Sequence, residues 1–303
     1  MKPTSMIFLV LSLILIFGGF MTCSVAKSMA SSENIPIYDT TFDSNGDAVY
    51  TYQISDAVIN KLTLNFSDVD VKIVGNAEKS YVELKNFDVN SYRVTLSSGN
   101  VTVDGTVGFL SSLLDMSAGG IQFKGLRYFF LDKPDPARPK SVTIYLSELS
   151  ELKSLNVSLK QGTVSFEGIH NALDYSVTLN QADALFSDVI STSVASVTCK
   201  EGNVTFHGSR FITVNATVED GNFTIQGDNV LTFQHTSYNM KVEESGNILY
   251  NGGNAGSSYK ATSPAPEANV IVNINNGIIT IEDGGTPAAV PEAPDMNGTS
   301  SMP

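Results

Sequence analysis

The chain has 303 residues, of which 42% are hydrophobic and 16% are charged, and its net charge is −13. An acidic chain repels phosphate backbones, so nucleic acid is excluded as a natural partner. Of its two cysteines, Cys23 and Cys199, only the second lies in the body of the chain, which therefore has no disulfide framework. For the same reason we predict no CxxC redox pair and no cysteine-based zinc site. We also predict no cofactor.

Residues 1–35 form a targeting or anchoring segment followed by a linker. The apolar run MIFLVLSLILIF at 6–17 has the length of a signal-peptide core, and small-residue cleavage motifs end at Ala26 and Ala30. Counted to Ala26, the apolar stretch is also long enough to span a bilayer as a helix. Three alternatives stay open: a retained transmembrane helix, a cleaved signal peptide and a lipidated Cys23. Each predicts a body on the extracellular side of the cell membrane, or secreted.

A repeat of about 20 residues organises the body. The phrase VSLKQGTVSFEGI at 157–169 returns as VTCKEGNVTFHGS at 197–209. Numbered from the turn residue, positions −5, −3, +2 and +4 are apolar, and this alternation places them on one face of a strand. The same frame fits around seven turn residues, which are Ser67, Gly99, Gly162, Ala182, Gly202, Gly221 and Gly277.

The repeat predicts an all-β fold. Each strand-turn-strand unit exposes an apolar face that it cannot bury alone, so the units must stack. We therefore predict a β-solenoid, a β-helix-like stack of such repeats, with a β-sandwich as the alternative because sandwiches also contain regular short strands. Cys199 occupies a position that holds Leu or Val in other repeats, which predicts a buried, unreactive thiol.

The repeat frame also divides the chain. An insert with an apolar and aromatic composition interrupts the frame, and its stretch GFLSSLLDM at 108–116 predicts a short helix. A C-terminal stretch without any strand pattern predicts a disordered tail. The predicted segments after the N-terminal one are 36–107 (first β-repeat segment), 108–139 (insert or cap, with a Pro-rich loop), 140–283 (second β-repeat segment) and 284–303 (tail).

The insert has two interpretations. Its apolar side chains either cover the repeats as a cap, or they form an exposed patch. In the second case Tyr128, Phe129 and Phe130 are the candidate residues for contact with a partner or with the membrane surface.

No catalytic or metal-binding motif is recognisable in the sequence. The stretch Asp43–Asp47 has the alternating oxygen ligands of a calcium loop, but its glycine comes early and Ile54 stands where a bidentate Glu is needed, which favours a tight turn. Asp68 and Asp70 are a candidate acid–base pair, although they lie at a strand start without an evident cleft. We predict no catalytic, cofactor-binding or metal-binding residue.

Three stretches carry a resemblance to a known family: LTLNFSDVDVKIVG at 62–75, SVTIYLSELSELKSLNVSLKQGTVSFEGI at 141–169, and the later turns of the GNVTF type. Over roughly residues 50–283 the chain resembles the putative-adhesin β-strand-repeat family, a bacterial domain of unknown function. The resemblance implies a β-solenoid-like fold and offers no catalytic residues to carry over.

Two classes of function follow. The resemblance implies a non-enzymatic, surface-exposed module for adhesion, binding or structure in the cell envelope, with an unknown ligand there and with its own membrane contacted through the N-terminal segment. The alternative is a polysaccharide-active β-helix enzyme, which needs outward acids and bases clustered on neighbouring coils. Because the outward repeat positions are mostly Thr and Ser, the sequence favours the binding module.

Overall fold

The computed structural model describes residues 38–53, 59–87, 92–97, 99–105, 114–117, 120–123, 138–147, 152–170, 173–226, 236–263 and 266–282. Over these ranges every regular element is a strand, which confirms the all-β prediction. They include no helix of the length and hydropathy that a bilayer crossing requires. The chain divides into two compact units, unit 1 (Met1–Val164) and unit 2 (Ser165–Pro303).

Several predictions concern parts of the chain outside the described residues. These are the signal or anchor segment at 1–35, the tail at 284–303, and the three aromatic residues of the insert, Tyr128, Phe129 and Phe130. The division into segments, the extracellular location and the two interpretations of the insert therefore stay predictions.

Unit 1 contains the first ten strands and most of the eleventh. Apart from β8 and β9, these strands pair in two groups, which are joined because β11 also pairs with β4. In the first, β6 pairs antiparallel with β7, and β7, β3 and β11 are parallel. In the second, β1, β2, β5 and β10 pair antiparallel in that order, and β10 then pairs parallel with β4. The strands are β1 (Tyr38–Phe42), β2 (Ala48–Gln53), β3 (Lys61–Asp68), β4 (Asp70–Ala77), β5 (Tyr81–Lys85), β6 (Arg93–Ser97), β7 (Asn100–Asp104), β8 (Leu114–Ser117), β9 (Gly120–Phe123), β10 (Ser141–Ser147) and β11 (Ser154–Glu167).

The insert contributes a hairpin, not a helix. Strands β8 and β9 pair antiparallel, with Leu114 opposite Phe123 and Met116 opposite Ile121. The helix predicted over 108–116 is therefore wrong for residues 114–116. Apolar residues alternate there with Asp115, and this period of two is the pattern of a strand.

Unit 2 contains the remaining nine strands. They are β12 (Asp174–Ser187), β13 (Ile190–Glu201), β14 (Val204–His207), β15 (Arg210–Asp220), β16 (Phe223–Gln226), β17 (Thr236–Tyr250), β18 (Gly253–Gly256), β19 (Ser258–Ala261) and β20 (Ala268–Glu282).

Six parallel strands of unit 2 close into a β-barrel. Strand β12 pairs with β13, β13 with β15 and β15 with β20. Strand β20 also pairs with β16, β16 with β14, and β14 with β12, which completes the ring. The ring closes because β12 and β20 are long strands. The first half of each strand pairs with one neighbour, and the second half pairs with another. Strand β17 lies outside the ring on β20, and β18 and β19 pair antiparallel with β17.

The solenoid prediction is wrong. The structure has a closed, six-stranded parallel barrel with outer strands in place of a solenoid stack of repeats, and it does not show the β-sandwich alternative either. The reason lies in β20, which pairs with β15 and β16 although β17, β18 and β19 intervene in the chain. Strand β17 then pairs with the other side of β20, so the strands do not follow chain order as stacked repeats require.

The inward positions of the repeat frame are confirmed as core. All of them are buried except Val94, which is half-buried, and Leu96, whose side chain is not among those described. In unit 2 the register places Val177 beside Val197, and Phe186 stacks on Phe206 with ring centroids 4.4 Å apart. Burial of these apolar faces is the main source of the barrel's stability.

The prediction that Cys199 is buried is confirmed. The thiol is fully enclosed, and its sulfur lies 3.6 Å from the carbonyl oxygen of Ala182. Burial raises the pKa of the Cys199 thiol to about 11, and the negative charge of Asp183 adds to the increase.

We expect Cys199 to resist labelling in the folded protein. Because only the thiolate is nucleophilic, a raised pKa and enclosure both slow its reaction with a thiol reagent at pH 8. A Cys23→Ser variant isolates this thiol for a colorimetric titration. One equivalent should react in guanidinium and almost none under native conditions, and rapid native labelling would contradict the buried position.

Candidate binding surface

The candidate site is the outer face of the sheet formed by β2, β5, β10 and β4 in unit 1. Strand β5 shows how the sequence produces this face. In YVELK the apolar Val82 and Leu84 are fully buried, whereas Tyr81, Glu83 and Lys85 alternate with them and face outward, half-buried. Period-two alternation thus separates core from outer surface on a single strand.

The strand pairings arrange the outward side chains in three rows across the sheet. Neighbouring strands are about 4.8 Å apart, so the members of a row are immediate neighbours. In strand order β2, β5, β10 and β4, the rows are Gln53, Tyr81, Tyr145 and Val74; Thr51, Glu83, Thr143 and Lys72; and Val49, Lys85, Ser141 and Asp70.

The first row contains a stacked tyrosine pair. The rings of Tyr81 and Tyr145 have centroids 4.3 Å apart and an interplanar angle of 15°. The two residues are direct cross-strand partners, and the stacking direction therefore runs across the sheet. Both side chains are half-buried, so a large aromatic surface reaches solvent at this face.

Glu83 adds a carboxylate next to the tyrosine pair. The pKa of Tyr145 is raised to about 12, mainly by burial and in addition by the charge of Glu83, the neighbouring Tyr81 and side-chain hydrogen bonds with both residues. Burial also raises the pKa of Tyr81, followed by the charge of Glu83. Both phenols consequently remain protonated at neutral pH and keep their O–H groups as donors.

A network of charges holds one corner of this sheet. The Lys85 ammonium lies 2.5 Å from an oxygen of Asp43 and 3.6 Å from Asp47. Arg138 pairs with Asp47 and donates a hydrogen bond of 2.8 Å to the Asn45 carbonyl oxygen. The network joins the turn between β1 and β2 to β5 and to Arg138, which precedes β10.

The tight-turn interpretation of Asp43–Asp47 is confirmed. One oxygen of Asp43 accepts hydrogen bonds from the backbone N–H groups of Asn45, at 2.8 Å, and Asp47, at 2.9 Å. Lys85 and Arg138 occupy the space beside the carboxylates where a calcium ion would be needed. Among the described residues, no group of three or more His, Cys, Asp or Glu side chains is placed to bind a metal ion.

We expect the Asp43 carboxylate to make stability depend on acid pH. The hydrogen bond from Lys85 is the main cause that holds the pKa of Asp43 at about 2, below its ordinary value of 3.8. A pKa that is lower in the folded state stabilises the fold above the ordinary value, and the contribution is lost as pH falls through about 2.

Melting temperatures of the wild type and of Asp43→Asn, measured from pH 7 to pH 2, test this expectation. The wild-type melting temperature should fall more steeply between about pH 4 and pH 2, so that the two curves converge in acid. Parallel curves would show that Asp43 contributes nothing through its ionisation.

Asp70, one member of the acid–base pair Asp68–Asp70 that the sequence offered, has a structural role. One oxygen of Asp70 accepts hydrogen bonds from the Thr163 hydroxyl at 2.7 Å and from the Thr163 backbone N–H at 3.2 Å. These bonds join the start of β4 to the bend in β11. The structure does not place Asp70 with a second carboxylate at a cleft.

The outward turn positions of unit 2 are also engaged in structure. The Asp183 carboxylate accepts a hydrogen bond of 2.7 Å from the backbone N–H of Asn203. The side-chain oxygen of Asn203 accepts a hydrogen bond of 3.3 Å from the backbone N–H of Asn222. Asn222 in turn accepts one of 3.1 Å from the N–H of Ile278. This ladder supports the sharp bends of the barrel, which explains the polar residue that recurs after the turn glycine.

Sequence reasoning did not identify the tyrosine pair. The alternation in YVELK contains the signal that Tyr81 and Glu83 share a face, but Tyr145 lies on a strand far away in the sequence. Only the pairing of β5 with β10 brings the two rings together.

No protein-family model and no curated protein matches the chain. The solved structures that are similar to it include three at low identity. A putative cell adhesion protein from Clostridium sporogenes is 13% identical, with 78% of this chain and 98% of that chain covered and a TM-score of 0.42. A putative adhesin from Bacteroides fragilis is 12% identical, with 77% of this chain and 97% of that chain covered and a TM-score of 0.39. A putative lipid binding protein from Parabacteroides distasonis is 10% identical, with 80% of this chain and 99% of that chain covered and a TM-score of 0.27.

These similarities carry no argument about the function of this chain, because the identities and TM-scores are low. The descriptions of the first two structures agree with the resemblance found in the sequence, but no family model confirms that family.

Proposed function

We propose that the chain is a non-enzymatic binding protein of the cell envelope, and that the outer face of the β2–β5–β10–β4 sheet is its binding surface. In this proposal the N-terminal segment holds the protein at the membrane, or directs its secretion, and the body acts on the extracellular side. The ligand is a component of the envelope or of a surface that the cell meets.

The observation that carries the proposal is the stacked pair Tyr81–Tyr145 beside Glu83. Tyrosine combines a rigid apolar ring with a polar tip, and it is enriched where proteins bind partners. An aromatic pair that stays half-buried on the outer face of a sheet has surface left to contact a ligand. Hydrogen-bonding groups on both neighbouring strands can then orient that ligand.

The enzyme alternative has less support among the described residues. A glycoside hydrolase normally needs two carboxyl groups on either side of the scissile bond. On this face Asp70 is bonded to Thr163, and Asp43 and Asp47 are paired with Lys85. Glu83 makes a hydrogen bond with Tyr145, and neither its own row nor the adjacent tyrosine row contains a second carboxylate. This arrangement supports binding in preference to bond cleavage.

The proposal is tested by retention of cell-envelope fragments on the immobilised full-length protein. We expect the wild type to retain envelope material, and the double variant Tyr81→Ala/Tyr145→Ala to lose most of it. Thr205→Ala is the control, because Thr205 is a half-buried outward residue of the unit 2 barrel. Equal retention by the double variant and the wild type would overturn the proposed surface.

A further inference from the structure

We infer that the tyrosine face of unit 1 binds an uncharged saccharide, with a sugar ring stacked on Tyr81. This inference rests on the proposed function, because it assigns a ligand class to the same surface. Three features carry it: the orientation of the ring, the hydrogen-bonding groups around the ring and the balance of charge.

The orientation of Tyr81 leaves one ring face that is not stacked on Tyr145. Tyr145 covers the face of Tyr81 that is directed toward β10, since the stacking direction follows the cross-strand pairing. The opposite face is directed toward β2, where its row neighbour is the exposed Gln53. The face of Tyr145 that is not stacked on Tyr81 is directed toward β4, where the apolar Val74 is the neighbour. A ligand that requires both stacking and hydrogen bonds therefore fits the Tyr81 side.

Sugar rings present C–H groups on a face and hydroxyl groups around the rim, so they bind to an aromatic ring surrounded by polar groups. The surroundings of Tyr81 match this requirement. Gln53 offers both donors and an acceptor, Thr51 offers a hydroxyl and Glu83 offers carboxylate oxygens. Gln53 is the cross-strand partner of Tyr81, about 5 Å away, whereas Glu83 and Thr51 lie in the next row, about 7 Å along the strands. Saccharide hydroxyls, which both donate and accept, can pair with this mixture.

The charges around the site favour a neutral ligand over an ion. Glu83 brings one negative charge, and Lys72 lies in the same row with Thr143 between them. Lys85 is the next outward residue on β5 after Glu83, and it is bonded to Asp43. A cationic ligand on Tyr81 would meet these lysines, whereas an anionic ligand would meet Glu83. Neither sign of charge has a complementary patch here.

The test is affinity electrophoresis of the full-length protein through gels that contain dextran, laminarin, mannan or galactomannan. The detergent must lack a sugar headgroup, because such a headgroup competes for the site. We expect at least one polysaccharide to retard the wild type. Tyr81→Ala should weaken that binding by about tenfold or more, whereas Tyr81→Phe, which keeps the ring, should change it by less than about threefold.

Two further variants keep the test decisive. Gln53→Ala removes a polar neighbour from an exposed position, so it should weaken saccharide binding without altering the melting temperature. Thr205→Ala on unit 2 should behave as the wild type. The inference is overturned if none of the four polysaccharides retards the wild type, or if Tyr81→Ala binds as well as the wild type. Binding of spermidine in their place, with dependence on Glu83, would also overturn it, and so would binding of the anionic hyaluronate in their place.

Periodate treatment separates this inference from the proposed function. Periodate destroys most sugar rings, and protease digestion leaves them intact. Material that still binds through Tyr81 and Tyr145 after periodate and after acid hydrolysis, which also breaks the 1,3-linked glycans that periodate spares, would support the proposed surface and refute the saccharide. Loss of retention after these two treatments, but not after protease, is the result expected here.

Discussion

The Val204→Asp variant should lose about 4 kcal/mol or more of unfolding free energy. Val204 is fully buried on β14, between Ala184 of β12 and Phe223 of β16. A carboxylate at this position has no partner and loses its hydration, and unpaired buried charge is one of the few causes of such large losses. Urea unfolding followed by tyrosine fluorescence measures the change, since the chain contains no Trp.

The next residue supplies the matched control. Thr205 points outward on the same strand, so Thr205→Asp keeps its carboxylate in water and should cost less than about 1 kcal/mol. The two variants add the same charge one residue apart. Equal losses of stability would show that the inward and outward faces of β14 are assigned the wrong way round.

The Gly221→Ala variant should lose about 3 kcal/mol or more. Gly221 has a φ angle of +150°, and a Cβ atom there would overlap the carbonyl oxygen of Gly202 on the neighbouring bend. Backbone strain alone costs about 1–3 kcal/mol at such a position, and the overlap forces the two bends apart. The bend at Gly277 packs equally closely on the carbonyl oxygen of Gly221, so a shift of the Gly221 backbone also displaces β20.

Gly252 is the control for the cost of backbone strain without atomic overlap. Its φ angle is +79°, but no atom lies within 4 Å of a Cβ placed there. Gly252→Ala therefore carries strain without overlap and should cost about 1–2 kcal/mol. If both alanine variants melt at the same temperature, close contact between the glycine bends does not contribute to stability.

The repeat frame predicted the core because alternation determines which face of a strand is buried. Val177, Val197 and Cys199 are buried as the frame requires. Alternation does not determine which strand becomes the neighbour, since every inward face is equally apolar. The position of β20 between β15 and β17 depends on pairings across a long stretch of chain, and no local pattern encodes them.

For a related reason, the sequence predicts the outward residues of the candidate site but not their arrangement. YVELK shows that Tyr81 and Glu83 lie on one face, and SVTIYLS shows in the same way that Tyr145 faces outward. Neither stretch indicates that β5 and β10 are partners in this register. The aromatic surface is a product of strand pairing, and single strands carry only its parts.

The position of β20 also determines when unit 2 can assemble during synthesis. It is the last described strand to leave the ribosome, yet it joins β15, β16 and β17. Until it emerges, the ring is open and these three strands expose unpaired edges, which are templates for aggregation. A ribosome that stalls before residue 268 would therefore release an open ring prone to aggregation, and a chaperone that shields those edges would have most effect over this late interval.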